Sequence, residues 1–385
     1  MKIKLAFQGA AGNVTGSRYL VTTEHTRIMV DCGMYQERQY QPRNWEPFPV
    51  DPRSLGAVVL THAHVDHVGL LPKLVRDGFA GPVYCTPATA ELVRIVLLDT
   101  AHIQVEDAEF KKKRHEREGR TGTFPEVPLY NETDALAAIE RLSPVPYEER
   151  IRVQHDLELC LHDAGHILGS SMVQLAAGSN GSRRTLLFSG DIGRHDSPIV
   201  RDPTPIGQAD YVVMETTYGD RVHQSESHIP DELARVINEA RKRRGNIIVP
   251  AFAIERTQDI LYHLGRLLEK DRIPHIMVFV DSPMAIGVTD VFRHHPELFD
   301  EDTQELLRTG RHPCNFPGLT MCQTAEASKA INHIQGTVMV IAGSGMCTAG
   351  RVKHHLANNI GRKQCTVLFV GYQAAGTLGR LLLDG

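Results

Sequence analysis

Three histidines and one aspartate fall within six consecutive residues, in the segment THAHVDH at 61–67. An apolar run at 57–60 predicts a strand before it, and the apolar spacing becomes helical from Val65 onward. Because side chains alternate along a strand, His62 and His64 lie on one side, while the following turn brings Asp66 and His67 to a second position. Imidazole nitrogen and carboxylate oxygen together suit zinc. The segment therefore predicts two neighbouring metal positions.

Two further candidate ligands lie downstream, each after a predicted strand. His166 stands in AGHILGS at 164–170, where small neighbours allow close approach of the backbone, and Asp191 ends the segment FSGD at 188–191. Taken singly, each residue is more typical of an ordinary loop histidine or turn aspartate. In a chain that also carries the 61–67 segment, we expect both to join the metal site. The Asp191 carboxylate is then placed to bridge two cations.

The pattern of predicted strands and helices that must position these residues changes near residue 209. The first part is rich in strands, with a predicted hairpin at 19–22 and 27–30 and further strands at 157–161, 172–175 and 185–188. Beyond 209, strands at 211–215, 247–249, 276–280, 338–341 and 366–370 alternate with helices at 231–244, 255–270 and 351–358. Such alternation predicts a largely parallel sheet covered by helices. We therefore expect two domains, 1–208 and 209–385.

The composition excludes several classes of protein. Lys plus Arg total 42 against 46 for Asp plus Glu, a net charge of −4, which argues against a uniformly basic nucleic-acid binder. The seven cysteines show no CxxC, so neither a disulfide framework nor a zinc knuckle is indicated. The sequence has no 18-residue apolar run and no signal-peptide core at its start, so we expect a cytoplasmic protein without a membrane partner.

The chain resembles the metallo-β-lactamase superfamily and, within it, the β-CASP nucleases, which include RNA-degrading enzymes and the cleavage-and-polyadenylation endonuclease. The HxHxDH run at 62–67, His166 and Asp191 match three family motifs, and Asp31 in VDCG matches another, a structural aspartate behind the ligands. Glu215 in ETTYGDR matches the acidic motif at the start of the β-CASP insertion. The resemblance implies an α/β protein in which a metallo-β-lactamase αββα sandwich carries an inserted, parallel α/β β-CASP domain.

The resemblance also implies two zinc ions and their ligands: His62, His64 and His166 for one, Asp66 and His67 for the other, and Asp191 as the bridge. The second zinc takes a further histidine in the family, from motifs that follow the insertion. This sequence ends at Gly385 before those motifs. We therefore expect a longer parent protein, of which this chain lacks the part that closes the lactamase domain.

The activity implied is that of a zinc-dependent ribonuclease, which hydrolyses RNA phosphodiester bonds by a metal-bridged hydroxide and acts endonucleolytically on single strands. Asp66, Asp191 and Glu215 are the expected catalytic residues, with Glu215 holding a histidine in position. RNA is the expected partner, and a homo-oligomer is left open.

Substrate contacts are expected from residues that follow the acidic motif or resemble a family loop: Arg221, His223, Ser344, Gly345 and Met346. The last three stand in GSGM at 343–346, between a predicted strand and helix, where free backbone amides can cradle an anion. A segment at 250–253, PAFA, also resembles the family's RNA-processing members. The histidine pair at 354–355 lacks ligand-like neighbours and is not predicted to bind metal.

Two alternatives stay open. One is a hydrolase of small esters or thioesters on the same metal core, although such a substrate needs no second α/β domain. The other is a catalytically impaired RNA-binding subunit. Every ligand motif before residue 385 is intact, so only the closing motifs keep this second alternative open.

Overall fold

A computed structural model describes residues 2–121, 126–154, 156–178, 183–222, 228–374 and 376–385. The chain forms two compact units, the first comprising Met1–Ser197 with Arg201–Asp220 and the second comprising Pro198–Val200 with Arg221–Gly385. No helix within the described ranges has the length and apolar character needed to cross a bilayer.

The first unit contains a six-stranded sheet whose spatial order follows the sequence. Its strands are β1 (Lys4–Phe7), β2 (Tyr19–Thr22), β3 (Arg27–Val30), β4 (Ala57–Val59), β5 (Val83–Cys85) and β6 (Leu142–Pro144). Strands β1 to β3 are antiparallel, and β3 to β6 are parallel. The predicted hairpin is confirmed, since β2 and β3 pair from Thr22 opposite Arg27. The Thr23 hydroxyl accepts the Thr26 N–H at 2.9 Å and closes the turn.

A second sheet of five strands has the order β11-β10-β9-β8-β7. These strands are β7 (Ile151–Gln154), β8 (Leu157–Asp163), β9 (Ser171–Ala177), β10 (Arg184–Phe188) and β11 (Tyr211–Val213). Alternate residues of β8, such as Leu159 and Leu161, share one apolar core with Val21, Ile28 and Val30 of the first sheet. The two sheets therefore pack face to face, as the predicted sandwich requires.

The helices of the first unit are α1 (Val65–Val68), α2 (Leu71–Arg76), α3 (Pro87–Glu118) and α4 (Glu132–Ile139). The apolar spacing from Val65 predicts one continuous helix, but the structure divides it into α1 and α2. The division has a local cause, because Pro72 has no N–H to donate to the carbonyl of Val68. The backbone turns at Gly69 and Leu70, and Pro72 then occupies the first turn of α2, a position that proline favours.

The second unit is built around a five-stranded parallel sheet of order β14-β13-β15-β12-β16. Its strands are β12 (Ile247–Pro250), β13 (Met277–Val280), β14 (Leu319–Met321), β15 (Val338–Ala342) and β16 (Thr366–Val367). Its helices are α5 (Ile229–Arg243), α6 (Arg256–Glu269), α7 (Pro283–His294), α8 (Glu301–Arg308), α9 (Ala325–Ile331), α10 (Val352–Asn359) and α11 (Leu378–Asp384). The predicted parallel α/β architecture is confirmed.

The division between the units follows Asp220 and not residue 208, for a reason visible in the strand pairing. Strand β11 pairs in parallel with β10, with Leu186 opposite Tyr211, so it extends the second sheet of the first unit. Sequence alternation groups β11 with the later strands because it stands next to them in the chain. Its hydrogen bonds assign it to the sandwich instead.

Candidate metal centre

The four side chains predicted to hold one metal converge in the first unit. His62 is fully buried beyond the end of β4, and its Nε2 lies 3.0 Å from Nδ1 of His64. His166 Nε2 lies 3.3 Å from the same His64 nitrogen. Asp191 Oδ2 is 3.8 Å from His62 Nε2 and 3.6 Å from His166 Nε2. One ligand atom from each of the four side chains lies within 4.8 Å of the others, so residues more than a hundred positions apart form one cluster.

The loop between β8 and β9 presents His166 through its own hydrogen bonds. The Ser170 hydroxyl accepts the N–H groups of His166 and Ile167 at 3.0 and 3.2 Å. Gly165 has φ +60°, and a Cβ there would press against the Arg201 carbonyl, so glycine is required both for the backbone angle and for the space. The small residues around His166 are thus explained by the tightness of this loop.

The second predicted pair lies on the other side of Asp191. His67 Nε2 is 3.3 Å from Asp191 Oδ1 and 4.0 Å from Asp66 Oδ2. One oxygen of Asp191 therefore faces His62 and His166, while its other oxygen faces His67. This arrangement matches a carboxylate that bridges two metal positions.

Asp31 lies behind the cluster and is completely buried at the end of β3. Its Oδ2 is 2.8 Å from His67 Nδ1, and its Oδ1 accepts the Thr61 N–H at 2.7 Å. A carboxylate on Nδ1 keeps the proton there and leaves Nε2 free to bind a metal. The geometry agrees with the supporting role that the family resemblance gives to Asp31.

Thr61 and Ser17 are two contacts that sequence reasoning missed. The Thr61 hydroxyl lies 3.0 Å from His62 Nδ1, 3.3 Å from His67 Nδ1 and 2.8 Å from Asp31 Oδ2. The Ser17 hydroxyl is 3.4 Å from His67 Nε2. A threonine immediately before the first histidine of the motif is a signal that points to Thr61. Ser17 comes from a distant part of the chain and carries no such signal.

The charges in the cluster favour a bound cation. Burial lowers the pKa of His64 to about 4 and lowers the pKa of His62 and His166 as well, so these rings are neutral near pH 7. Burial opposes protonation of His67 too, but Asp191 and Asp31 raise its pKa well above the usual value. Against burial, His67 holds the pKa of Asp191 well below its usual range. His62, His64 and His166 are therefore neutral beside the ionised Asp191 and can bind zinc without losing a ring proton, whereas His67 must give up a proton to bind the second ion.

Glu215 follows β11 and is half-buried. Its Oε1 accepts the Ile192 N–H at 2.9 Å, and its own N–H donates to the Ser189 hydroxyl at 3.1 Å. Among the described residues this carboxylate therefore fixes the loop that carries Asp191. Its expected role in holding a histidine stays a prediction.

The Asp191 and His166 loops also touch each other directly. The Gly193 N–H donates to the Ala164 carbonyl at 2.9 Å, and a Cβ on Gly193 would collide with the Gly165 carbonyl. The two ligand-bearing loops are thus held in one arrangement by close backbone contact.

The predicted substrate contacts belong to the second unit. The Ser344 hydroxyl accepts the N–H groups of Thr348 and Ala349 at 3.0 and 3.3 Å, so it closes its own turn. Within the described part of the chain, no hydrogen bond uses the N–H groups of Gly345 and Met346. Arg221 is exposed at the start of this unit, and His223 lies outside the described residues.

Comparison with known proteins matches both parts of the architecture. Residues 257–382 match the Beta-Casp domain, and residues 11–158 match the Metallo-beta-lactamase superfamily. Ribonuclease TTHA0252 of Thermus thermophilus is 38% identical over 371 residues, which are 96% of this chain and 79% of that protein. The chain belongs to the metallo-β-lactamase superfamily and contains a β-CASP domain.

This β-CASP protein is also similar to the transcription termination factor FttA of Methanosarcina mazei, at 30% identity over 396 residues. That alignment covers 100% of this chain and 58% of the archaeal protein, so the chain spans somewhat more than half of that relative. A crystal structure of a protein of unknown function from Enterococcus faecalis covers 97% of the chain with a TM-score of 0.51 at 11% identity, a likeness of fold alone.

Proposed function

We propose that this β-CASP protein is a ribonuclease that hydrolyses RNA phosphodiester bonds with two zinc ions. The observation that carries the proposal is the convergence of His62, His64, His166 and Asp191, whose ligand atoms lie within 4.8 Å of one another. The 38% identity to a protein named as a ribonuclease supports RNA as the substrate. Membership of a metal-dependent hydrolase family supports the reaction class.

The ligand cluster fits zinc by the chemistry of its donors. Three neutral imidazoles and a carboxylate are ligand types that zinc binds. The ring nitrogens that face one another carry too few hydrogens to give every contact between them a hydrogen bond. His62, His64 and His166 would hold one ion, and Asp66 with His67 would hold the other. Two zinc ions held there would lower the pKa of bound water and neutralise charge on the phosphate.

The protein's own residues then orient the reaction. Asp191 contacts both ligand groups, and Glu215 holds the Asp191 loop through the Ile192 N–H. Asp66 would bind the second metal, and its carboxylate would accept a proton from the attacking water. Asp31 and Thr61 keep the His67 and His62 rings in the orientation that turns Nε2 toward the cluster.

The second unit is proposed to bind the RNA backbone. The N–H groups of Gly345 and Met346 are free within the described residues and can donate to a phosphate oxygen. Arg221 and His223 are proposed as further phosphate contacts. Endonucleolytic cleavage of single-stranded RNA is the proposed mode.

The proposed compartment is the cytoplasm. The seven cysteines, all within the described residues, form no disulfide, as a reducing compartment favours.

The test is cleavage of an end-labelled single-stranded RNA and of its DNA counterpart by the zinc-loaded chain. Wild-type protein is expected to cut RNA into products with 5′-phosphate ends, and Asp191→Ala is expected to abolish cutting. Asp302→Ala, which changes an exposed aspartate of α8, serves as the matched control and is expected to cut normally.

Other outcomes favour the alternatives. RNA binding without cleavage, in protein that retains its zinc, would indicate the catalytically impaired RNA-binding subunit. Hydrolysis of a thioester without any cutting of RNA would favour the small-substrate hydrolase. Cutting that survives Asp191→Ala would contradict the proposed site.

A further inference from the structure

A second group of possible metal ligands lies elsewhere in the first unit, on the second sheet. Strand β8 turns Leu157, Leu159 and Leu161 into the sandwich core, so the residues between them face the opposite side of the sheet. Cys160 and His162 are two such residues, separated by one position and therefore side by side. Both are nearly buried, with 5% and 9% of their surface exposed.

Glu148 completes this group from the loop at 145–150. Its backbone N–H donates to the Leu161 carbonyl at 2.9 Å, which fixes the loop alongside β8. Its Oε1 then lies 2.8 Å from His162 Nδ1. The ligand atoms of Glu148, Cys160 and His162 all lie within 4.8 Å of one another. We call these three side chains the β8 cluster.

The hydrogen bonding of His162 favours a cation in the β8 cluster. Gln174 stands opposite Cys160 on β9, and its Oε1 lies 3.2 Å from His162 Nε2. An amide oxygen is an acceptor, so Nε2 carries the ring proton. In the neutral ring, Nδ1 is then a second acceptor that faces the acceptor carboxylate of Glu148 at 2.8 Å. A cation between or beside these two acceptors, either a second ring proton or a metal ion, satisfies both of them.

Cys160 favours a metal ion over a second ring proton. A second proton on His162 would satisfy Glu148 but would not involve the Cys160 sulfur. Within the described part of the chain, this nearly buried sulfur makes no hydrogen bond. A metal ion would use the sulfur, the imidazole and the carboxylate together.

We propose that the β8 cluster is a second, separate zinc site formed by Glu148, Cys160 and His162. Thiolate, imidazole and carboxylate are all zinc ligands, and their bonds of about 2.0–2.3 Å place the ligand atoms of a tetrahedral site roughly 3.3–3.8 Å apart. All pairs of ligand atoms in the β8 cluster lie within 4.8 Å, so small side-chain rotations bring them to that geometry. Water supplies the fourth ligand.

The proposed zinc site lies where it would connect two segments of the first unit. A zinc ion here cross-links the 145–150 loop to β8, the strand that runs directly into the loop carrying His166. It shares no ligand with the catalytic cluster, which consists of histidines and carboxylates. The two sites therefore differ in one measurable property, the presence of a thiolate ligand.

The experiment loads the full chain with Co²⁺ in place of zinc and records its absorption spectrum. Thiolate bonded to cobalt gives a charge-transfer band in the near ultraviolet, which histidine and carboxylate ligands do not give. Wild-type protein is expected to show this band, and Cys160→Ser is expected to lose it together with one equivalent of bound metal. Cys365→Ser, at a half-buried cysteine outside the cluster, is the matched control and is expected to keep both.

Two further variants distinguish loss of the thiolate ligand from misfolding and from loss of metal at the catalytic site. His162→Gln removes a different ligand and is expected to weaken the band if Cys160→Ser does not fold. Asp191→Ala is expected to keep the band, since that residue belongs to the other cluster. Absence of the band from folded wild-type protein, or its survival in folded Cys160→Ser, would overturn the proposal.

Discussion

Each of the two units of this protein contains a cluster of aspartate and histidine side chains at the end of a strand. In one cluster every acceptor atom faces a hydrogen-bond donor, and in the other the donors are too few. In the second unit, Asp281 follows β13 and is completely buried. Its Oδ1 accepts Arg351 Nη1 at 2.7 Å, and its Oδ2 lies 2.6 Å from His355 Nε2 and 2.5 Å from the Ser328 hydroxyl. Every carboxylate oxygen of this network has a donor.

The candidate metal centre of the first unit has fewer hydrogen-bond donors than acceptors. Ring nitrogens of His62, His64 and His166 face one another at 3.0 and 3.3 Å, and burial keeps these rings neutral. Three neutral rings cannot supply a proton to every contact among them and with Asp191. The comparison shows that proximity of aspartate and histidine does not by itself indicate a metal. A shortage of hydrogen-bond donors does indicate a metal, because a bound cation can then satisfy the acceptor atoms that have no hydrogen facing them.

The strongest test of this contrast removes one histidine from each cluster. We expect His62→Ala to release bound zinc and to lower RNA cleavage on the order of 10³-fold, since metal ions contribute several kcal/mol of transition-state stabilisation. His355→Ala is expected to lose stability while keeping its zinc. Metal content by mass spectrometry and cleavage rates measure both variants. Equal zinc content in His62→Ala and wild type would contradict the assignment.

Asp281→Asn tests the cluster of the second unit, in which every carboxylate oxygen has a donor. Removing the charge from a completely buried carboxylate that pairs with Arg351 and His355 is expected to cost ~3 kcal/mol, with Arg351 still bound to the carbonyl oxygens of Cys322 and Gln323. Denaturant unfolding of the second unit measures this loss. Zinc content is expected to stay unchanged.

The effect of Asp281→Asn also depends on pH. Burial raises the pKa of Asp281, but His355, Ser328 and Arg351 outweigh it and hold the pKa below its usual value. The stabilisation is therefore complete above about pH 4 and is lost as the pH falls through the lower folded-state pKa. The difference between variant and wild type should shrink in acid. A difference that grows in acid would show that Asp281 is not ionised in the native protein.

The smallest expected effect comes from Asp31→Asn, which sharpens the view of the metal centre. The amide keeps the shape of the carboxylate but removes the charge that holds His67 Nδ1. We expect about 10–100-fold weaker zinc binding, the usual consequence of losing a carboxylate behind a histidine ligand. Competition with a chelator measures the affinity, with Asp302→Asn as the exposed control. Unchanged affinity would remove Asp31 from the support of the site.

The sequence alone could predict the regular elements and the ligand residues that carry a strong local pattern. The hairpin at 19–22 and 27–30, the parallel α/β second unit and the HxHxDH run are examples. It did not predict β14 at Leu319–Met321, a three-residue strand too short for a periodic pattern. It also extended the strand after Thr366 beyond the two residues observed, since apolar residues continue past the last paired position.

Spacing in the chain determined which residues are suited to bind metal, because HxHxDH places several ligands within two short elements. Tertiary structure alone decided which acceptors would lack donors. The distance between His64 and His166 depends on two sheets packing face to face. The loop contact through Gly193 depends on β8 and β10 lying on either side of β9 in the second sheet. The pairing of His355 with Asp281 depends on α10 lying beside the end of β13. No local pattern encodes those contacts, because each joins residues that are distant in sequence and close only in the folded core.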